Sequence, residues 1–334
     1  MAEAVLLVAH GSRSLAGRGE MLALAGAVAS ARPGTPVRAG FLEMSDPPAS
    51  TVLEELLADG ARDITVVPLM LFAAGHSKSD VPAVVLQARA RHPGARIAYG
   101  RPLGVDHALL TLARRRLRDA GAAGMPLAVL ARGTSDPDAN AEAWRASRLL
   151  ADMAETQLVA TGFSGLTWPT VTGALEQLRV QGAERMAVFS WFLATGVLLD
   201  RMRADWEAFA SATGLTVVDA GYFGIEPELV HLVWERVGEA DAGRVEPNCD
   251  ACSYRRPFPG LADRVGMAVG VGHSHLAAEH RGDDAHVGRG HGLGHDPEHG
   301  HEHGHGIEGS GTAVDAKHDH GIGQVAPERR GDRA

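Results

Sequence analysis

The feature that most restricts the fold of this chain is a repeat. The segment RAGFLEMSDPPASTVLEELLADGARDITVVPLMLFAAG (38–75) is answered by ATGFSGLTWPTVTGALEQLRVQGAERMAVFSWFLATG (160–196), and VLLVAHGSRS is answered by LAVLARGTSDP (127–137). Gly40 and Gly162, Pro47 and Pro169, and Gly60 and Gly182 pair at one offset of 122. Gly75 with Gly196, and Gly100 with Gly221, pair at 121. Register held over three pairs, and over two more after a single deletion, marks a duplicated unit of about 120 residues.

Within the first unit, apolar runs alternate with helical stretches. AVLLVA (4–9), PVRAGFLE (36–43), DITVVPLML (63–71) and RIAYGRPLG (96–104) read as strands. Between and after them, helices are expected from Glu20 to Arg32, Ala49 to Asp59, Val81 to Arg91 and Ala108 to Ala120. Strands in strict alternation with helices indicate a parallel sheet covered on both faces. The expected fold class is therefore α/β, with two tandem units, residues 1–122 and 123–243, each a parallel sheet flanked by helices.

Beyond the repeat the composition changes. Residues 244–262 include EPNCDACSYRRPFPG, a compact loop-like element with a CxxC. Residues 263–334 are rich in glycine, histidine and acids and poor in apolar side chains, which predicts a disordered tail unable to offset chain entropy by burial. A net charge of −9 without any basic block argues against nucleic-acid binding. The N-terminus MAEAVLLVAH lacks a basic leader, and the longest uncharged apolar run, Ile64 to Gly75, is too short to span a bilayer. The expectation is a cytoplasmic, soluble protein.

The repeat also points to chemistry, because its halves differ at a few ionisable positions. His10 corresponds to Arg132, Glu43 to Gly165 and His76 to Val197. Residues required by the scaffold should recur in both copies, so side chains confined to one copy point to a site. All three follow an apolar strand, and ligands of parallel α/β sheets bind at the carboxyl ends of strands. Two imidazoles and a carboxylate there suit a divalent transition metal, and the same groups can accept protons. The competing reading for each is a capped or solvated strand-end histidine and, for Glu43, a solvated loop carboxylate. His92, His107 and His231 read as surface histidines.

LLVAHGSR, GFLE (40–43) and VPLMLFAAGHSKSDVP (67–82) together resemble the class II tetrapyrrole chelatases, specifically the long, internally duplicated sirohydrochlorin chelatases. The resemblance spans residues 4 to 240. It implies ATP-independent insertion of Co(II), for cobalamin biosynthesis, or Fe(II), for siroheme biosynthesis, into metal-free sirohydrochlorin. His10 and His76 then hold the incoming metal and help remove pyrrole protons, and Glu43 is an acidic group of the same cleft. The substrate is a polycarboxylate, so Arg13, Lys78, Arg101 and Arg132 are candidate cations to orient it. One working site is expected, with the second unit completing its walls and the duplication allowing a monomer.

Two attached features bear on metal handling. Cys249 and Cys252, the only cysteines, have a spacing at which thiolates share a metal. The resemblance implies a candidate iron–sulfur cluster there, whose missing ligands would come from a second chain or from elsewhere; the alternative is a redox thiol pair. The tail holds 12 of the 17 histidines, including His295, His299, His301, His303 and His305. Imidazoles at that density bind Co(II), Ni(II) or Zn(II), which favours metal storage or delivery over an affinity tag. A non-catalytic cobalt or nickel buffer on a chelatase fold is the alternative from another class.

Overall fold

In the computed structural model, residues 3–244 are described, so Cys249, Cys252 and the histidine-rich tail lie outside the described residues. Strands and helices alternate in the order β1 (Ala4–Ala9), α1 (Leu15–Ala31), β2 (Val37–Phe41), α2 (Ala49–Ala58), β3 (Asp63–Pro68), a π-helical turn (His76–Asp80), α3 (Val81–Arg91), β4 (Arg96–Tyr99) and α4 (His107–Asp119). The second half repeats this as β5 (Leu127–Ala131), α5 (Pro137–Met153), β6 (Val159–Phe163), α6 (Val171–Val180), β7 (Arg185–Ser190), α7 (Val197–Thr213), β8 (Thr216–Asp219) and α8 (Pro227–Asp241). The two parallel sheets have matching orders, β2-β1-β3-β4 and β6-β5-β7-β8.

The period-two geometry of a strand explains why β1 is apolar throughout. Val5, Leu7 and Ala9 face one core, while Ala4, Leu6 and Val8 face another. The first of these cores is common to both halves and draws on α1, α4, α5 and α8, which form an inner layer between the sheets. Helices α2 and α3 cover the outer face of the first sheet, and α6 and α7 that of the second.

Polar bonds reinforce this shared layer. The Arg236 guanidinium, on α8 and 1% exposed, donates to the carbonyls of Pro102 and Leu103 and to Asp106 and Glu239. Burial disfavours the charged Asp106 carboxylate, but its bonds from the Ala108 amide and Arg236 outweigh this and hold its pKa below the usual range. Glu239 also takes a bidentate bond from Arg101 at 2.8 and 2.9 Å. The last helix of the second half thus grips the loop that follows β4 in the first.

The element boundaries shift from the expected ones for physical reasons. Helix α1 begins at Leu15, ahead of the expected Glu20, because Ser14 caps it by accepting the Gly17 amide at 3.3 Å. The apolar runs after β3 and β4 extend beyond their strands because Leu69 and Leu103 enter the shared core.

The paired repeat glycines predict unequal sensitivity. A Cβ on Gly40 would lie 2.5 Å from the Ala49 Cα, a backbone atom, whereas on Gly162 it would meet the movable Leu130 Cδ2 at 2.9 Å and Ala174 Cβ at 3.0 Å. Gly40→Ala should cost about 2–3 kcal/mol and Gly162→Ala about 1 kcal/mol, read from urea denaturation; a larger loss for Gly162→Ala would contradict this packing.

Candidate metal centre

Three neighbouring strands deliver the three predicted side chains to one edge. Strand β1 lies between β2 and β3, with Ala9 level with Phe41 and Val8 level with Pro68. His10 and Glu43 leave β1 and β2 together, tied by a bond from the Glu43 amide to the His10 carbonyl at 3.1 Å. His76 opens the π-helical turn that follows β3. A Cβ on Gly11 would lie 1.7 Å from the Glu43 carbonyl oxygen, so only glycine, at φ +102°, lets these loops meet.

The side chains converge. One ligand atom from each of His10, Glu43 and His76 can be chosen so that all lie within 4.8 Å of one another. His10 Nδ1 is 3.2 Å from Glu43 Oε1, and the His10 and His76 rings meet edge to face with centroids 4.4 Å apart. The three are partly buried, at 20–27% side-chain exposure, enough for access yet shielded from bulk water. Among the described residues this is the only such cluster. The second half offers Arg132, Gly165 and Val197 at the equivalent positions.

Supporting contacts orient the cluster. His76 Nδ1 bonds Asp80 Oδ2 at 2.6 Å, one π turn later. With Nδ1–H donated to that buried carboxylate, Nε2 carries the free lone pair that a metal needs. Tyr99, whose phenol is pushed above its usual range by burial, donates its hydroxyl to the Ser77 carbonyl and braces the same turn. The HSKSD spacing carries a signal for Asp80, four residues after His76 on a helical turn, that the sequence reading passed over.

Lys78 and Arg101 sit elsewhere than a substrate-facing role requires. The Lys78 ammonium, 7% exposed, bonds Asp136 at 2.9 Å and Asp138 at 3.1 Å, both in the second half. Burial opposes its charge, and the two carboxylates more than offset that and raise its pKa. Asp136 caps α5 with its other oxygen, which accepts the Asp138 amide at 3.1 Å. Arg101 is engaged by Glu239, as described above. Neither residue lines the cleft, whereas Arg13 and Arg132 both do, and neither of these makes an ion pair among the described residues.

His10 and His76 line a cleft of about 650 Å³ formed by both halves, and Glu43 adjoins it beside His10. The cleft volume falls within the range of small-molecule sites. Apolar walls come from Phe72 of the first half and Trp191 of the second, whose rings stack at 6.2 Å between centroids. Glu20 accepts the amide of Thr195, a cleft residue, at 2.9 Å and the Tyr222 hydroxyl at 2.8 Å. Burial and that carboxylate push the Tyr222 phenol up to about 12, keeping it a donor.

The CbiX family model matches residues 4–120 and again residues 126–240. This chain belongs to the CbiX family. The tandem match coincides with the two sheets. A sirohydrochlorin cobaltochelatase of Priestia megaterium is 36% identical over 222 residues, covering 64% of this chain and 72% of the relative. A sirohydrochlorin ferrochelatase of Bacillus subtilis is 29% identical over 245 residues, covering 72% of this chain and 93% of the relative. The structure of SirB from Bacillus subtilis with Fe3+ superposes with a TM-score of 0.64 at 26% identity, covering 74% of this chain and 99% of that one. No helix among the described residues is long and apolar enough to cross a membrane.

Asp80 supplies a test of the ligand geometry. If His76 is a ligand, Asp80→Asn should raise the requirement for buffered free metal, Co(II) or Fe(II), about 10- to 100-fold, measured as the metal KM in an insertion assay. Thermal melting should move little, and an unchanged metal KM would remove Asp80 from the site.

Proposed function

We propose that this chain is a sirohydrochlorin chelatase that inserts Co(II) into the metal-free macrocycle. The observation that carries the reading is the cluster of His10, Glu43 and His76, with candidate ligand atoms within 4.8 Å, whose two histidines line a cleft formed by both halves. CbiX membership and the names of the relatives support the reaction class. Co(II) is favoured over Fe(II) by the cobaltochelatase name of the 36% identical relative and by the histidine-rich segment, which includes His295, His299, His301, His303 and His305. In this reading those imidazoles gather the metal for the cleft.

The chemistry demands that a hydrated dication lose water and that two pyrrole nitrogens lose protons. His10 and His76 replace departing water with neutral nitrogen ligands that remain exchangeable. Asp80 keeps the His76 lone pair on Nε2. Glu43, beside His10 and 20% exposed, takes the two pyrrole protons in turn as general base and passes each to solvent. Arg13 and Arg132 meet carboxylates at the edge of the macrocycle. Lys78 and Arg101 serve instead to hold the two halves together. Because one half carries all the ligands, a single insertion site per chain and a monomer are the simplest working state.

The test is an anaerobic insertion assay on sirohydrochlorin with Co(II), Fe(II) and Ni(II) at matched free metal. Co(II) should turn over fastest; a preference for Fe(II) would assign the chain to siroheme formation, and no insertion of any metal would leave a metal buffer. His10→Ala should lower kcat by about 100-fold or more with the fold intact by circular dichroism. Arg132→Ala should act mainly on the macrocycle KM; an equal loss of kcat in both variants would defeat the one-site reading.

A further inference from the structure

Two apolar side chains stand in water at the cleft under conditions that folding alone disfavours. Met44 and Leu166 both adopt left-handed backbone, at φ 59° and 66°. That region is uncommon for residues other than glycine, asparagine or aspartate. Their side chains are nonetheless 49% and 78% exposed, and both line the same cleft. They are repeat mates at the offset of 122, each in the loop after the strand that edges its sheet, β2 or β6.

Each loop is pinned so that the conformation cannot relax. In the first half, the Glu43 amide bonds the His10 carbonyl at 3.1 Å. There Ser45 Oγ accepts the Ser12 amide at 3.0 Å and donates to the Ser12 carbonyl at 2.9 Å, and Arg18 Nε holds the Asp46 carbonyl at 2.8 Å. In the second half, the Ser164 amide and hydroxyl bond the Ala131 and Arg132 carbonyls at 2.9 and 2.8 Å. Gly133 packs beneath that loop, where a Cβ would lie 2.3 Å from the Gly165 carbonyl oxygen. Over-determined, strained residues of this kind mark sites that grip ligands.

The halves diverge at the neighbouring ionisable positions, with Glu43 against Gly165 and His10 against Arg132, yet both retain a long apolar side chain at this one. A metal ligand is needed once, whereas a flat ring system presents two faces and an apolar contact is useful from both sides. We propose that Met44 and Leu166 are paired substrate-positioning residues. Their side chains close on the macrocycle and fix its plane relative to His10 and His76, while Arg13 and Arg132 take its charged edge. This inference rests on the chelatase reading and adds the apolar contacts that this reading did not assign.

Glycine separates this role from a structural one, because it relieves the left-handed backbone while deleting the side chain. The experiment measures binding of metal-free sirohydrochlorin to the full chain by fluorescence, without added metal, for Met44→Gly, Leu166→Gly and the double variant. Each single change should weaken binding about tenfold and the double more, from lost apolar burial. Melting temperature should stay level or rise, and Met44→Leu and Leu166→Met should bind like the parent chain. Unchanged binding in the double variant, or a fall in melting temperature that accounts for the loss, would overturn the proposal. A parent chain that binds the macrocycle but inserts no metal would defeat the chelatase reading alone; one that does not bind it would defeat both.

Discussion

Everything in this molecule depends on the apolar layer held between the two sheets. Because β1 alternates Val5, Leu7 and Ala9 inward against Ala4, Leu6 and Val8 outward, one strand commits side chains to two cores at once. Strand β5 does the same with Leu127, Val129 and Ala131 against Ala128 and Leu130. The inner set merges with that of the other half through α1, α4, α5 and α8, so the repeats share burial. Such a layer brings the loops beyond β1–β3 and β5–β7 to a common opening, and the cleft follows from the packing.

Within that frame, the cluster of His10, Glu43 and His76 is built by a sequence of supports, each acting on the next. Parallel register brings His10 and Glu43 side by side, Gly11 permits their loops to touch, and the π-helical turn aims His76 at both. Asp80 and Tyr99 then steady the turn from within the first half. Lys78 steadies it from the second, through a buried ion pair that would be costly to break by removing one partner.

Much of this was legible in the sequence, and the parts that were not have a common cause. The repeat and its alternation of apolar runs anticipated the two sheets, and the one-sided distribution of His10, Glu43 and His76 anticipated the cluster. These are statements about pattern, and pattern survives in one dimension. The destinations of Lys78 and Arg101 depend on which carboxylates the folded halves bring near, Asp136 and Asp138 in one case and Glu239 in the other. Both are cleft candidates in the sequence because a polycarboxylate substrate calls for cations, but their length lets them cross to the other half. The start of α1 was missed because capping by Ser14 outweighs the glycines at positions 17 and 19, which weaken helix propensity.

The Lys78 bridge also alters what duplication has done to this chain. With Arg132, Gly165 and Val197 in place of the clustered side chains, the second copy looks like a half free to drift. Yet two of its acids hold, through Lys78, the turn that carries His76, so the geometry of the first-half cluster is exposed to mutation in the other copy. The freedom gained by doubling is therefore narrower than those differences imply, because Asp136 and Asp138 of the second copy support its neighbour's turn.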